Sequence, residues 1–391
     1  SKTGGGLTEV TFDFTLTFGA IHHLNVAVAG SLVNDTAWAT QPIITIQDEN
    51  NNTVTDQNST VTLTATGATI TGTTSMAAVN GVANFDGLGV KLTGTVGTKT
   101  LTASISSPSS FTKETSISLT YGAATKLTLT TQPTGFVNRT NFTDQPVVTV
   151  QDVSGNTVAN STIAINATID SGSLTGATQV NAVAGVATFA GLGKNGTIGD
   201  KILTFKDAAE ALTPATKNFT LTHGAAEHLS LTVASTLVNN TEFATQPVAT
   251  IYDADSNVVT SGSQSTQTVT LAATGATLGG TKTMAAVAGV ANFSGKGLKL
   301  TGLIGDKTLT ASIASPSAIT RDETVTITFG AADHLFAATE AAGAGNGAAF
   351  GTQPVIEVRD VSENVVTDST ATVTASVSNG TLIGGNQKAA V

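Results

Sequence analysis

At 391 residues the chain is long enough for several domains, and without a single cysteine none of them rests on a disulfide or a thiolate-bound metal. A net charge of −10 excludes the basic surface that nucleic-acid phosphates require, and no run approaches the roughly 18 apolar residues of a membrane span. The charged fraction is 11%, with Thr, Ser, Ala, Val and Gly dominant, a composition suited to half-buried strands rather than salt-bridged helices.

In chain order, residues 1–19 end in DFTLTFG and match the NFTLTHG that closes at Gly224, so they read as the terminal strand of a preceding repeat. No signal peptide is visible, and because the chain opens inside a repeat this says nothing about secretion. A Gly-Ala joint then recurs at intervals of about 100 residues: GAIHHL at Gly19, GAATKL at Gly122, GAAEHL at Gly224 and GAADHL at Gly330. Each is followed by a Gln-Pro strand, QPIITIQD at Gln41, QPVVTVQD at Gln145, QPVATIYD at Gln246 and QPVIEVRD at Gln353. A V-x-G-V-A-x-F segment follows at Val79, Val183 and Val287, and the fourth copy reaches the matching valine at Val391. These anchors predict domains at 20–122, 123–224 and 225–330 and an incomplete fourth at 331–391. The first and third share VTLTATGATITG and VTLAATGATLGG, while the second and fourth share DVS, giving an A-B-A-B order.

The apolar period throughout is two. Ile44 and Ile46, Val148 and Val150, and Ile356 and Val358 share one face of their strands, with Thr45, Thr149 and Glu357 on the other. Leu101, Ala103 and Ile105 alternate with Thr100, Thr102 and Ser104. This is the pattern of antiparallel sheets with one buried and one wet face. Roughly seven short strands per 100 residues with Gly-, Asn- and Asp-rich turns predict an all-β chain of tandem immunoglobulin-like β-sandwich domains. The short Gly-Ala joints predict close-set domains and hence an elongated rod.

QDVSGNTVANSTIAINATIDSG followed by AVAGVATFAGLG resembles the bacterial Ig-like repeats of invasin- and intimin-type surface proteins. The matching residues are Asp152, Gly155, Asn156 and Val158 in the hairpin, then Gly185, Val186, Ala187 and Phe189. The resemblance implies an extracellular stalk on a microbial surface, and no adhesive tip domain of that family is recognisable here. The Gly-Asn pair of the second copy is replaced by Asn51-Asn52, Ser256-Asn257 and Glu363-Asn364 in the others, which leaves the turn type open.

Four groups of residues raise the question of chemistry. Asp253, Asp255 and Asn257 form D-x-D-x-N, whose clustered oxygens suit the start of a Ca2+ loop. The glycine and distal glutamate of an EF-hand are missing, and Asp48, Asp152 and Asp360 stand at the equivalent place, so the same residues also read as a plain hairpin turn. Apart from that ion no cofactor is expected. His22, His23, His223, His228 and His334 gather at the joints, either as a pH- or metal-sensitive device or as polar packing; Lys126 in place of a histidine in the second copy favours packing. Trp38, Phe142, Phe243 and Phe350 precede the Gln-Pro strands and serve either sugar stacking or a core. Acceptor sequons for N-glycosylation stand at Asn34, Asn51, Asn58, Asn138, Asn141, Asn160, Asn166, Asn195, Asn218, Asn239, Asn292 and Asn379. No nucleophile elbow, zinc-protease helix motif or phosphate-binding loop occurs, so no enzyme is expected.

The expected function is structural: a non-catalytic piece of an extracellular microbial surface fibre or adhesin stalk. A surface-layer subunit and a carbohydrate- or receptor-binding surface module are the alternatives. The expected partners are further repeats of the same chain or further copies of it, end to end, and a cell-surface receptor. Two accounts fit the fourth repeat. It is either a window onto a longer array, or a broken sandwich completed by the TEVTFDFTLTF strand of a neighbouring subunit, and a count of the missing residues favours the window.

Overall fold

The computed structural model describes residues 9–315 and 317–391; the first part of the segment expected as a preceding strand, residues 1–8, lies outside them. The described chain is almost entirely β, arranged as tandem immunoglobulin-like sandwiches. Two compact units are distinguished. The first takes the described part of Ser1–Gly135, with Asn141–Gly193 and Lys201–Phe219. The second takes Phe136–Thr140, Lys194–Asp200 and Thr220–Val391.

In the first unit, His23–Ala27, Ile43–Gln47 and Val82–Asn84 form a three-stranded antiparallel sheet. Its partner is a five-stranded sheet in the order Ser31–Val33, Phe111–Thr120, Gly97–Ile105, Thr60–Thr66 and Ser75–Ala77. Ser31–Val33 runs parallel to Phe111–Thr120, and the other pairs are antiparallel. The predicted alternation decides which side chains meet. Leu101, Ala103 and Ile105 on one sheet and Ile44 and Ile46 on the other are buried in one core with Val61, Leu63, Phe85, Ile117 and Leu119. The same unit holds the second repeat's sheet of Lys126–Thr131, Val147–Gln151 and Val186–Thr188. The second unit repeats the first architecture. Ala226–Thr232, Val248–Asp253 and Val290–Asn292 face Thr236–Val238, Ile319–Thr328, Gly305–Ile313, Thr268–Thr274 and Thr283–Ala285. Beyond them Ala332–Thr339 pairs with Val355–Asp360, and Thr372–Thr374 with Gln387–Ala389.

The recurring anchors have physical reasons. In the first three repeats the glutamine before the Pro is a clamp: Gln41 donates to the carbonyls of Trp38 and Val90 and accepts the Val90 N–H. Gln145 and Gln246 do the same with Phe142 and Leu192, and with Phe243 and Leu298. Each proline, lacking an N–H, begins the strand and offers its carbonyl to Phe85, Phe189 or Phe293. In V-x-G-V-A-x-F the glycine has positive φ, 81° at Gly289, and a Cβ there would stand 2.5 Å from the Val259 carbonyl oxygen. Trp38, Phe142 and Phe243 are buried, so the recurring aromatic is a core residue in three of its four places. The Trp38 Nε1–H is buried without an acceptor.

Phe85, Phe189 and Phe293 occupy one position and are completely enclosed. Phe293→Ala is expected to cost its repeat about 3–5 kcal/mol, read as a shift in the denaturant midpoint, while Val287→Ala on the exposed side of the same hairpin leaves the midpoint nearly unmoved.

Candidate functional site

The feature that recurs in both units is built around one aspartate per repeat. Asp48, Asp152, Asp253 and Asp360 end the Gln-Pro strand and open a tight hairpin turn. One carboxylate oxygen, Oδ1, accepts the backbone N–H groups two and four residues on. These are Asn50 and Asn52, Ser154 and Asn156, Asp255 and Asn257, and Ser362 and Asn364, all at 2.9–3.0 Å. The intervening third residue is left-handed in every copy, with φ of 65° at Asn51, 82° at Gly155, 60° at Ser256 and 67° at Glu363. The turn is therefore the same in all four repeats, and only Gly155 adopts it without a side-chain cost. The asparagine four residues on also returns its side-chain amide to the carboxylate.

The second oxygen, Oδ2, faces the joint. It accepts the N–H of the joint glycine at 2.8–2.9 Å: Gly19, Gly122, Gly224 and Gly330. It also accepts, at 2.8 Å, a side-chain amide from the repeat before: Asn34 on Asp152, Asn138 on Asp253, Asn239 on Asp360. The carbonyl end of each donor amide is held by its own repeat, through the N–H of Gly94, Gly196 or Gly302. A second amide crosses the other way. Asn156, Asn257 and Asn364 accept the N–H of Val96, Ile198 and Ile304 and donate to the carbonyls of Gly94, Gly196 and Gly302. Two asparagines and one carboxylate thus make a reciprocal latch. The joint residue has to be glycine, since a Cβ at Gly122 would lie 2.4 Å from the Asn34 carbonyl oxygen and one at Gly330 2.5 Å from that of Asn239.

These carboxylates and donor amides are buried. Burial by itself would raise the Asp152 carboxyl, but the Gly122 N–H and the Asn156 and Asn34 amides outweigh it and hold the group below the usual range. Asp253 is lowered against the same burial by Gly224, Asn138 and Asn257, and Asp360 by Gly330, Asn364 and Asn239. Asp48 is lowered to about 2, first by the Gly19 N–H and then by Asn52. Asp255 is lowered chiefly by Arg139, which grips it with Nε at 2.9 Å and Nη2 at 2.8 Å, and also receives Asn138 and the Gly196 N–H. Serines replace that acid in the second and fourth repeats: Ser154 bonds Asn34 and Ser362 bonds Asn239.

The structure brings Asp253, Asp255 and Asn257 together, as the D-x-D-x-N reading requires, and surrounds their oxygens with N–H donors. Among the described residues no group of three or more His, Cys, Asp or Glu is disposed to hold a metal ion. The histidines have polar neighbours near the joints. His23 meets Asn51, His223 meets Ser261, His228 stacks on Tyr252, and His334 lies between Asp333 and Glu363, which raise its pKa. The sequons divide sharply. Asn34, Asn138 and Asn239 are buried with their amides committed to the latch, whereas Asn51, Asn58, Asn141, Asn160, Asn218, Asn292 and Asn379 are exposed and Asn166 and Asn195 half-buried. What sequence reading missed was the joint role of those three asparagines. The signal was present: each stands seven residues before the glutamine of a Gln-Pro strand.

No family model matches the chain, and no curated protein does. Among solved structures it is similar to invasin, a bacterial integrin-binding protein, at 15% identity over 82% of this chain and 63% of that one, with a TM-score of 0.32. The chain thus spans less than two thirds of the invasin structure. It is similar to the Escherichia coli adhesin FdeC at 14% identity over 80% of this chain and all of that one, with a TM-score of 0.30. The D0-D1 domain of intimin follows at 20% identity over 52% and 98%, with a TM-score of 0.21. At these TM-scores the likenesses carry no argument about function.

Two predictions follow from the latch. Asn239→Ala withdraws one donor from the buried Asp360 and is expected to weaken the joint by about 1–3 kcal/mol, seen as faster amide exchange at Gly330 and Asn364 with the sheets of both repeats still protected. The joint carboxylates titrate lower folded than unfolded, so their contribution is complete above about pH 4 and is lost as pH falls toward and below about 2. Melting temperature recorded between pH 5 and 2 should fall, and Asp152→Asn should flatten part of that fall.

Proposed function

We propose that this chain is a non-catalytic segment of an extracellular microbial surface stalk, in which tandem sandwiches are held in line by the carboxylate–amide latch. The observation that carries the reading is the threefold recurrence of one joint, with the same atoms at the same distances, between Asn34 and Asp152, Asn138 and Asp253, and Asn239 and Asp360. A flexible string of domains has no use for four hydrogen bonds and a buried charge at every junction, because their ordering costs entropy. A stalk does, since direction is kept only where joints resist bending. The invasin- and intimin-like hairpin residues Asp152 and Asn156, which are latch residues here, support the same reading. In it Asp253, Asp255 and Asn257 serve the joint rather than a cation.

Solution scattering tests the extended reading. A compact chain of this length has a radius of gyration of about 21 Å; a value well above that, with the cross-section of a single sandwich, is expected, and a value near it sinks the proposal. Millimolar Ca2+ is expected to leave the melting temperature unchanged. A rise abolished by Asp255→Asn would return the acidic trio to ion binding.

A further inference from the structure

Beside the latch, every joint brings an aromatic ring toward one turn residue. Tyr121, His223 and Phe329 stand directly before the joint glycines Gly122, Gly224 and Gly330. Asn160, Ser261 and Asp368 stand four residues after the latch asparagines Asn156, Asn257 and Asn364. At the middle joint the two positions bond each other: His223 Nε2 lies 2.7 Å from the Ser261 hydroxyl and accepts the Ser261 N–H at 3.1 Å. At the first joint they face a common groove instead. Tyr121 is half-buried and Asn160 exposed, and both line a cavity of about 560 Å³ with Val33, Ala123, Ala124 and Val158. A similar groove lies at Phe329, with Asp368 in place of the asparagine.

Only the first of these two grooves has a sugar acceptor in its wall, since Asn160-Ser161-Thr162 is a sequon. The Ser161 N–H bonds the Val158 carbonyl at 2.9 Å, which sets Asn160 in a tight surface turn. Among the described residues its side-chain amide bonds no protein group. The latch asparagines differ in this, as do Asn51, Asn166 and Asn292, whose side chains bond His23, Gln179 and Ser294. An aromatic face with valine and alanine methyls beside it suits the C–H face of a pyranose, whose hydroxyls then point to water. A sugar attached at Asn160 is tethered at the groove, at an effective concentration on the order of millimolar, so weak stacking is enough to seat it.

We propose that Asn160 carries an N-linked glycan whose first sugar lies in this groove on Tyr121 and braces the first joint, as His223 and Ser261 brace the middle one directly. The linkage forms when the Asn160 amide nitrogen attacks C1 of the reducing-end sugar of a polyprenyl-pyrophosphate-linked oligosaccharide. The new C–N bond replaces the C–O bond to the pyrophosphate, which leaves with the lipid, and the amide gives up one proton. The proposal rests on the extracellular placement in the stalk reading and adds a modification that stiffens one joint.

The test is glycopeptide mass spectrometry, with hydrogen exchange, on the protein isolated from the cells that make it. Asn160 is expected to be modified. The Gly122 N–H, which bonds Asp152, should exchange about fivefold or more slowly than in Thr162→Ala, the effect of a contact of aromatic-stacking strength. Thr162 is exposed, so this variant removes the acceptor sequence and leaves the fold alone. Tyr121→Ala should keep the glycan and lose the slowing. A bare Asn160, or a glycan there that leaves Gly122 exchange unchanged, overturns the proposal. Modification at the exposed Asn218 with Asn160 bare would overturn it while leaving the extracellular reading intact, and scattering judges the stalk separately.

Discussion

A carboxylate taken out of water has to be surrounded by donors, and the architecture of every joint follows from that requirement. The aspartate at the end of each Gln-Pro strand is enclosed, so its two oxygens collect N–H groups from every element within reach. One oxygen closes the hairpin and the other clasps the joint glycine and, at Asp152, Asp253 and Asp360, the neighbouring repeat's asparagine. Because one charged group serves the turn, the joint and the neighbour, these three are not independent. Straining one withdraws donors from a group that water cannot rescue. Amide contacts placed on a buried charge are stronger than the same contacts between neutral groups on an exposed surface.

The three joints share a backbone and differ in a pair of side chains beside the latch. Where Ser154 and Ser362 contribute a hydroxyl, the middle joint has Asp255, and the added charge is answered by Arg139 in fork geometry. Arg139 is half exposed, so this addition is open to salt while the buried latch beneath it is not. Arg139 and Asp255 thus give the Asn138–Asp253 latch an electrostatic surplus that the Asn34–Asp152 latch lacks.

Strand periodicity, the Gln-Pro and Gly-Ala anchors and the sandwich class were readable in the sequence because they are properties of alternation and of residues with special backbone demands. Gly289 and Gly122 announce close approach, and Ile44 with Ile46 announce a buried face, without knowledge of what lies opposite. The joint was not readable in that way. Asn34 and Asp152 are more than 100 residues apart, and each alone has a sufficient local account, a sequon in one case and a turn former in the other. The D-x-D-x-N of the third repeat drew notice as an ion loop because carboxylates near one another in sequence suggest a cation. The neutralising partners here are amides and an arginine supplied by a distant segment, which spacing within the motif does not reveal. The aromatic position was ambiguous between stacking and core until the burial of Trp38, Phe142 and Phe243 resolved it for those three.

The latch asparagine stands at the same position in the first three repeats and donates to the same kind of partner in the next, Asp152, Asp253 or Asp360, whether A-type or B-type. An A-type repeat clasps a B-type one through Asn34 and is clasped by one through Asp253, with the same asparagine-to-carboxylate bond at both ends. Such a joint is indifferent to pedigree: a repeat duplicated, deleted or transposed at the level of the gene still finds a fitting neighbour on either side. A change in the number of such modules would therefore need no new interface.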